Sequence, residues 1–299
     1  MFDADEKICA SKIIIYDWVK KAENDPVLYN QRRATEIVLN AIAMTETLSG
    51  KLFLKGGILM ALKYKSPRNT GDIDFTISLA PHNNITTTLS NEINAKLPIA
   101  VTETGHVGFH LKVQTIKILP KDNSLEEDTC PAIRVTVGYV IDNNTNQINR
   151  LNKGKASNVI TIDISFNEEI SGHQNIILEN ENSIIRAYSI NDLIGEKIRA
   201  LLQQPKRNKK RNQDIFDISL LIDELSFDHE AKKNILNSIE KKCKSRGITA
   251  KKNSLSSGNI KELSGAEWDN LKQDIGKSNL PNFNDCYNKV EQFYKSLPW

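Results

Sequence analysis

Two aspartates lie two residues apart in a short segment whose polar and apolar residues alternate. Asp72 and Asp74 alternate with Ile73 and Phe75, and the pattern continues to Leu79. Because successive side chains of a strand point to opposite faces, both carboxylates are expected on one face. Carboxylate oxygens are the ligands that hard divalent cations prefer, and a bare pair of like charges would repel. The segment therefore predicts a metal site, with a solvated strand face as the alternative.

A glycine pair precedes these aspartates. Gly56 and Gly57 follow the short apolar segment 52–55, and Arg68 and Thr70 come shortly before Asp72. Glycine lets backbone N–H groups approach phosphate oxygens without an intervening side chain. Arg68 is either a phosphate ligand or a surface arginine, and the glycines are either a phosphate cradle or a plain turn. Together with the aspartates, these residues favour metal-dependent transfer of a phosphate-bearing group.

A third carboxylate stands in a second alternating segment. Asp163 shares its predicted face with Thr161 and Ser165, in a strand predicted over 159–166. Beside a strand that carries Asp72 and Asp74, Asp163 would complete a three-carboxylate site. Two Mg²⁺ ions in such a site would activate an attacking hydroxyl and stabilise a leaving pyrophosphate. Alternatively, Asp163 is an ordinary charge on an edge strand.

A lysine and two further aspartates stand in two predicted helices. Lys197 follows Ile190 and Ile194 on the apolar stripe of its helix, so it occupies an inward position. It either extends past its apolar stem to solvent or meets a triphosphate. Asp214 and Asp217 lie one turn apart at the start of the next helix, where the helix dipole already favours acids. The functional alternative is that one of them faces Lys197 or a nucleotide.

Composition restricts the class of protein. The chain has 299 residues, enough for two modules, and 39% are hydrophobic. No apolar run approaches the length of a membrane span, and the acidic start lacks the basic region of a signal peptide, so we expect a cytoplasmic protein. The cysteines have no paired metal-ligand spacing and are predicted to be reduced. They are Cys9, Cys130, Cys243 and Cys286.

The positive charge is concentrated in the C-terminal half. The formal net charge is only +3, yet residues 206–211 and 241–252 form two basic blocks. Each block is either a solvated surface or part of an interface for an anionic partner. Two blocks in the same half favour binding of nucleic acid.

The periodicity of the chain predicts two domains. Residues 1–180 would hold N-terminal helices and a sheet, and 181–299 a helical domain. Loops are expected at 120–131, 142–157 and 254–259. The predicted strands are 52–55, 72–79, 109–118, 133–140 and 159–166, and the predicted helices lie within 4–48 and at 58–64, 189–203, 212–225, 229–245, 259–275 and 283–296.

Five segments in this order resemble the AbiEii toxin family, which has the nucleotidyltransferase fold shared with DNA polymerase beta. The resemblance covers roughly residues 50–225. The departures are Thr70, where the family often has serine, and Ile58, where a hydroxyl residue would contact phosphate. The segments are Lys55-Gly56-Gly57, Arg68-x-Thr70-x-Asp72-Ile73-Asp74-Phe75, Ile162-Asp163-Ile164-Ser165-Phe166, Glu196-Lys197-Ile198-Arg199-Ala200 and Arg211-x-x-Asp214-Ile215-Phe216-Asp217-Ile218.

The resemblance implies an α+β fold, a small twisted mixed sheet with flanking helices followed by a helical C-terminal domain. It implies the toxin half of a type IV toxin–antitoxin or phage-defence pair, with tRNA ends as targets in relatives. Asp72 and Asp74 would bind metal, and Gly56 and Gly57 would hold the triphosphate. Lys197 would bind phosphate, and Asp214 would be the acid of the last motif, although Asp217 is one turn away.

The resulting hypothesis is a Mg²⁺-dependent nucleotidyltransferase that moves a nucleoside monophosphate from an NTP to an acceptor hydroxyl. The predicted acceptor is a tRNA 3′ end, bound by the basic C-terminal half, and the predicted protein partner is a cognate antitoxin. One alternative is transfer to a protein or to a small molecule. The basic blocks argue against a small molecule of the antibiotic kind. Another is an inactive nucleotide-binding module, against which the three carboxylates argue.

Overall fold

The computed structural model describes residues 11–82, 84–120, 131–142, 144–178, 183–276 and 279–299. The described residues form two compact units. The sheet unit comprises the chain up to residue 63 and residues 71–168 and 174–187, and the helical unit comprises 64–70, 169–173 and 188–299. The domain boundary predicted at 180–181 lies outside the described residues, and so do Cys9 and Cys130.

The sheet unit is built on one mixed sheet. Its strand order within the described residues is β1-β7-β8-β2-β3-β6-β5-β4. Strand β3 runs antiparallel to β2 and parallel to β6, and β6 runs antiparallel to β5. The strands are β1 (Ser11–Ile13), β2 (Leu52–Lys55), β3 (Asp72–Ile77), β4 (Phe109–Leu119), β5 (Ala132–Ile141), β6 (Asn158–Ser165), β7 (His173–Leu178) and β8 (Ile184–Tyr188).

Apolar residues on one face of the central strands form the core. Ile73 and Phe75 of β3 and Ile162 and Ile164 of β6 are fully buried. Their burial places the intervening polar residues on the opposite face, as the alternation predicts. The helices of this unit are α1 (Ile15–Lys20), α2 (Pro26–Ala43), α3 (Gly56–Lys63), α4 (Ile85–Glu103) and α5 (Thr145–Asn152).

The helical unit begins with a capped helix. The Ser189 hydroxyl accepts a hydrogen bond from the Asp192 amide at 3.2 Å and so caps the helix. None of the helices among the described residues is both long and apolar enough to cross a membrane. The helices of this unit are α6 (Ile190–Arg207), α7 (Asn212–Glu224), α8 (His229–Lys244), α9 (Gly258–Gly265), α10 (Leu271–Ile275) and α11 (Phe283–Lys295).

Several elements differ from the sequence-based expectation in the first half of the chain. Ser11–Ile13 is a strand in a region predicted to be helical, because it pairs with β7, a strand far away in the chain. Helix α4 was not predicted, since its β-branched residues favour strands, although Ile85 and Leu89 recur at helical spacing and are buried. Helix α5 lies in a predicted loop, where Asn144 caps it by accepting from two backbone amides at 3.1 Å.

Further differences follow Gly172. Strands β7 and β8 were not predicted as strands, and they are short strands that depend on pairing with β1 and β2. The helix predicted at 259–275 is divided into α9 and α10 by a 3₁₀ turn at Trp268–Asn270. Residues 254–259, predicted as a loop, contain the 3₁₀ turn Ser254–Ser256 and the start of α9. The loop predicted at 120–131 lies almost wholly outside the described residues.

Candidate active site

Four charged residues occupy one register position across four neighbouring strands of the sheet. Lys55 of β2 is the register partner of Asp74 of β3, Asp74 is the partner of Asp163 of β6, and Asp163 is the partner of Arg134 of β5. Register partners point to the same face of a sheet, so these four side chains form one row. We call them the charge row, and its two acids lie between its two cations.

Asp72 lies on the same face as the charge row, two residues before Asp74. It is exposed, and its register partner on β6 is Thr161. The three aspartates singled out in the sequence therefore share one face of two adjacent strands, which are about 4.8 Å apart in a sheet. No three His, Cys, Asp or Glu side chains of the described residues are close enough together to hold one metal ion.

The third carboxylate is held by an arginine that sequence reasoning missed. Arg134 donates from Nε to Oδ1 of Asp163 at 2.8 Å and from Nη2 to Oδ2 at 2.7 Å. This hydrogen bonding and the charge of Asp163 raise the pKa of Arg134, and Asp72 and Asp74 contribute further. The period-two pattern of 133–140 places Arg134 on the polar face of a strand, but it gives no information on the neighbouring strand.

Lys55, the cation at the other end of the charge row, is neutralised by Glu168, an acid whose role the sequence did not reveal. Lys55 is buried, and its ammonium forms an ion pair with Glu168 and contacts Ser165 Oγ at 3.4 Å. Glu168 also accepts a hydrogen bond from Thr76 Oγ1 at 2.8 Å. The side chains of Lys55 and Glu168 are 9% and 8% exposed, so this pair is a fixed part of the sheet.

Gly56 joins β2 to α3 immediately beside Asp74. Its φ of +68° lies in the left-handed region that favours glycine. A Cβ at this position would clash with a carboxylate oxygen of Asp74 and lie 2.8 Å from Asp74 Cγ. Gly56 is therefore required for the observed position of the Asp74 carboxylate. Gly57 is buried in the first turn of α3, whose N-terminal amides lack partners within the helix.

In the helical unit, four charged side chains form a buried ion cluster. Lys197 of α6 donates to Asp214 at 2.9 Å and to Asp217 at 2.7 Å, both on α7. Arg68 donates to Asp217 from Nη2 at 3.2 Å. The exposed fractions of these residues are at most 9%, and Asp217 is fully buried. Lys197 thus does not extend to solvent, Arg68 is not a surface residue, and both aspartates contact Lys197.

Electrostatics keeps this cluster ionised. Burial opposes the charged form of Lys197, but Asp214 and Asp217 outweigh it and raise the pKa of Lys197. Burial also opposes ionisation of Asp217, whereas Lys197 and Arg68 lower the pKa of its carboxyl. The pKa of Arg68 is raised in the same way, by Asp217 against burial. Thr70 lies half-buried in the same segment as Arg68.

The fold and the order of these segments define a nucleotidyltransferase. A family model described as "Nucleotidyl transferase AbiEii toxin, Type IV TA system" matches residues 37–289, which is most of the chain. The protein therefore belongs to the AbiEii family of nucleotidyltransferase toxins. Membership confirms the resemblance found in the sequence and implies an NTP substrate and an antitoxin partner.

A solved structure shows the same fold, and a second has a lower TM-score. MenT4, a nucleotidyltransferase toxin from Mycobacterium tuberculosis, is 11% identical with a TM-score of 0.50, over 94% of this chain and 88% of MenT4. A candidate nucleotidyltransferase from Helicobacter pylori is 14% identical with a TM-score of 0.45, over 90% of this chain and 93% of that chain. No curated protein matches the chain.

Proposed function

We propose that this protein transfers a nucleoside monophosphate from an NTP to an acceptor hydroxyl, with Mg²⁺ bound by Asp72, Asp74 and Asp163. The observation that carries the proposal is the register that sets Asp74 beside Asp163, with Asp72 on the same face. Carboxylate oxygens are ligands that suit Mg²⁺, and Gly56, which has no Cβ, leaves room for the Asp74 carboxylate. The donor types therefore fit Mg²⁺, although no three such side chains of the described residues stand close enough to hold one ion and Arg134 engages Asp163, so the carboxylates would have to reorient to bind it. When bound, the metal would neutralise the triphosphate and lower the pKa of the attacking hydroxyl.

The chain's own residues would bind the triphosphate. We assign the backbone amides of Gly56 and Gly57 to phosphate oxygens, because they open helix α3, where such amides lack intrahelical partners. By the family resemblance, Lys197 would also bind phosphate. The resemblance extends the same role to Arg68 and Thr70. Catalysis would then rest on positioning and on charge stabilisation.

For the acceptor, we propose a tRNA 3′ end bound through the block at 206–211. Lys206, Arg207 and Lys209 are exposed, whereas Lys210 is paired with Glu267 and Arg211 lies 3.9 Å from Asp214. The block at 241–252 is less uniform than its sequence suggests. Lys242 is only 2% exposed and donates to the Glu169 carbonyl at 2.6 Å, so it is not available to a partner.

A labelling experiment tests the reaction and the acceptor class together. The protein is incubated with each α-³²P-labelled NTP, Mg²⁺ and separate fractions of total RNA and total protein, with Asp74→Asn as the inactive control. Label in RNA of tRNA size that depends on Asp74 and Mg²⁺ is the expected result. Label confined to protein or to small molecules would reject the RNA acceptor, and no label with any NTP would reject transferase activity.

Charge reversal tests the RNA surface. Because each neutralised phosphate releases counterions, RNA binding through these residues should weaken steeply with salt. Glutamate at Lys206, Arg207 and Lys209 should flatten the salt dependence and raise the KM for RNA, with the KM for NTP unchanged. Reversal of Lys153 and Lys155, lysines outside both blocks, is the matched control. Equal effects of the two variants, or none, would reject the assigned surface.

The family supports a proposal for the partner and for the compartment. As the toxin half of a type IV pair, the protein would be held inactive by its antitoxin and released during phage defence. We place the reaction in the cytoplasm, where NTPs and tRNA are found. Co-expression with the neighbouring antitoxin reading frame should relieve the growth arrest that wild-type toxin causes, and the Asp74→Asn variant should cause none.

A further inference from the structure

The two cations of the charge row differ in how firmly they are held. The Lys55 side chain is 9% exposed and paired with Glu168, which is equally buried. The Arg134 side chain is 46% exposed, and its partner Asp163 is 28% exposed. Arg134 can therefore move into water at little energetic cost, since exposed ion pairs contribute little to stability. Lys55 cannot, because its departure would leave Glu168 buried without its ion-pair partner.

We propose that Arg134 occupies the Asp163 carboxylate while no metal is bound, and that metal binding must displace it. Arg134 is then a positioning residue that sets the metal affinity of the three-aspartate site. The inference rests on the proposed function, because it takes the metal site at Asp72, Asp74 and Asp163 as given. It adds a residue outside the segments that carry the family resemblance.

The geometry of the pair supports competition. The guanidinium engages both oxygens of Asp163, at 2.8 and 2.7 Å, in the bidentate arrangement that gives the strongest carboxylate–arginine contacts. A metal ion shared by Asp74 and Asp163 needs at least one of those oxygens. A divalent cation and the guanidinium would also repel each other across the carboxylate.

The charge row also indicates what Arg134 does when no metal is bound. Three carboxylates on one face of two strands repel one another, and Arg134 feels the charge of all three. Its guanidinium therefore relieves repulsion and holds the Asp163 carboxylate in place until a metal binds. This accounts for an arginine that faces acids in a site proposed to bind a cation.

Binding of Mn²⁺ to the full-length protein without nucleotide tests the proposal, with free Mn²⁺ measured by electron paramagnetic resonance. Arg134→Gln should bind Mn²⁺ about three- to tenfold more tightly than wild type, because the competing ion pair is gone. Lys117→Gln is the matched control: Lys117 is exposed and is the register partner of Arg134 on β4. It removes one positive charge from the neighbouring strand, on the same face of the sheet, without touching Asp163, and should change the affinity less than about twofold.

A double-mutant cycle separates competition from general electrostatics. In an Asp163→Asn background, Arg134→Gln should no longer change Mn²⁺ affinity, because the contested oxygen pair has lost its charge. Arg134→Lys keeps the positive charge but cannot make the bidentate contact, so it should give an intermediate affinity. It serves as the second variant if Arg134→Gln folds poorly. Circular dichroism melts identify any variant that is unfolded.

Three results would overturn the inference. They are weaker or unchanged Mn²⁺ binding in folded Arg134→Gln and Arg134→Lys, an effect of Lys117→Gln equal to that of Arg134→Gln, and an undiminished effect of Arg134→Gln in the Asp163→Asn background. If Mn²⁺ binding is lost in Asp72→Asn but insensitive to Arg134, only this inference fails. If neither wild type nor any variant binds Mn²⁺, the proposed metal site fails and the inference fails with it.

Discussion

Gly56→Ala should disable nucleotide transfer without unfolding the protein. The new Cβ would clash with a carboxylate oxygen of Asp74 and lie 2.9 Å from Asp74 Cβ. The backbone of Asp74 is held by pairing with both β2 and β6, so the carboxylate must rotate or the turn at Gly56 must open. Either change displaces a proposed metal ligand.

The expected magnitudes follow from two separable contributions. An L-residue at a φ of +68° costs about 1–2 kcal/mol, and the contact with Asp74 adds about 1–3 kcal/mol as local overpacking. Gly105→Ala is the matched control, because Gly105 has a φ of +70° and an added Cβ there would meet nothing within 4 Å. It should lose only the backbone contribution. A displacement of the Asp74 carboxylate by about 1 Å should reduce turnover roughly hundredfold.

The assay compares the two alanine variants side by side. Urea unfolding gives the free energies of unfolding, and transfer of labelled nucleotide to the acceptor fraction gives turnover. Gly56→Ala should be less stable than Gly105→Ala and about a hundredfold less active, whereas Gly105→Ala should retain nearly full activity. Full activity in Gly56→Ala would refute the reasoning, as would equal loss of activity in both variants.

Three further predictions concern single side chains. Asp72→Asn and Asp74→Asn should abolish transfer while leaving the thermal midpoint unchanged or slightly higher, because like-charge repulsion is reduced; residual turnover in both would reject the metal site. Lys197→Met should lower the free energy of unfolding by about 3–5 kcal/mol in urea titrations at pH 7, because it leaves Asp217 buried with Arg68 as its remaining cation in the cluster; a loss under about 1 kcal/mol would contradict a paired, buried lysine. Burial raises the pKa of the Cys243 thiol from 9.0 to about 12, so between pH 8 and 10 the unfolded chain loses a proton that the native state keeps, and stability should fall by about 1.4 kcal/mol. Cys243→Ala should remove that part of the alkaline loss, and an unchanged slope would show that the thiol does not contribute.

The acid side of the pH profile has the opposite sign. The lowered pKa of Asp217 means that its stabilising contribution is present above the unfolded value of about 3.9 and is lost as the pH falls through the native value. On the alkaline side, the raised pKa of Lys197 means that its stabilising contribution is fully present below the unfolded value of about 10.4 and is lost as the pH rises through the native value. The buried ion cluster should therefore be intact throughout neutral pH.

The sequence predicted the acids of the site but not their arrangement. Period-two alternation depends only on neighbours in the chain, so it correctly placed Asp72 and Asp74 on one face of β3, and Asp163 on one face of β6. Strand order depends on long-range pairing, which alternation does not encode. For that reason the partnership of Arg134 with Asp163 was missed, although the strand that carries Arg134 was predicted.

Helical periodicity was informative in the same limited way. It predicted that Lys197 points inward, and the structure shows why an inward lysine is tolerated, since two carboxylates contact it. It could not choose between Asp214 and Asp217, because residues three apart share a helix face. The structure distinguishes them by burial: Asp217 is fully buried and shared with Arg68, whereas Asp214 is 9% exposed. Their functional ranking stays a prediction, with Asp214 as the functional acid.

The two charge clusters differ in formal charge, and this difference indicates which of them should attract a cation. The buried ion cluster sets Arg68 and Lys197 against Asp214 and Asp217, so it is neutral as it stands. On the sheet, Lys55 and Glu168 cancel, and Arg134 offsets only one of the three aspartates. Within this set of residues the acids outnumber the cations, so this partly exposed face favours a cation. Displacing Arg134 would make the carboxylate of Asp163 available as a metal ligand. The step that admits the metal would therefore also supply one of its ligands.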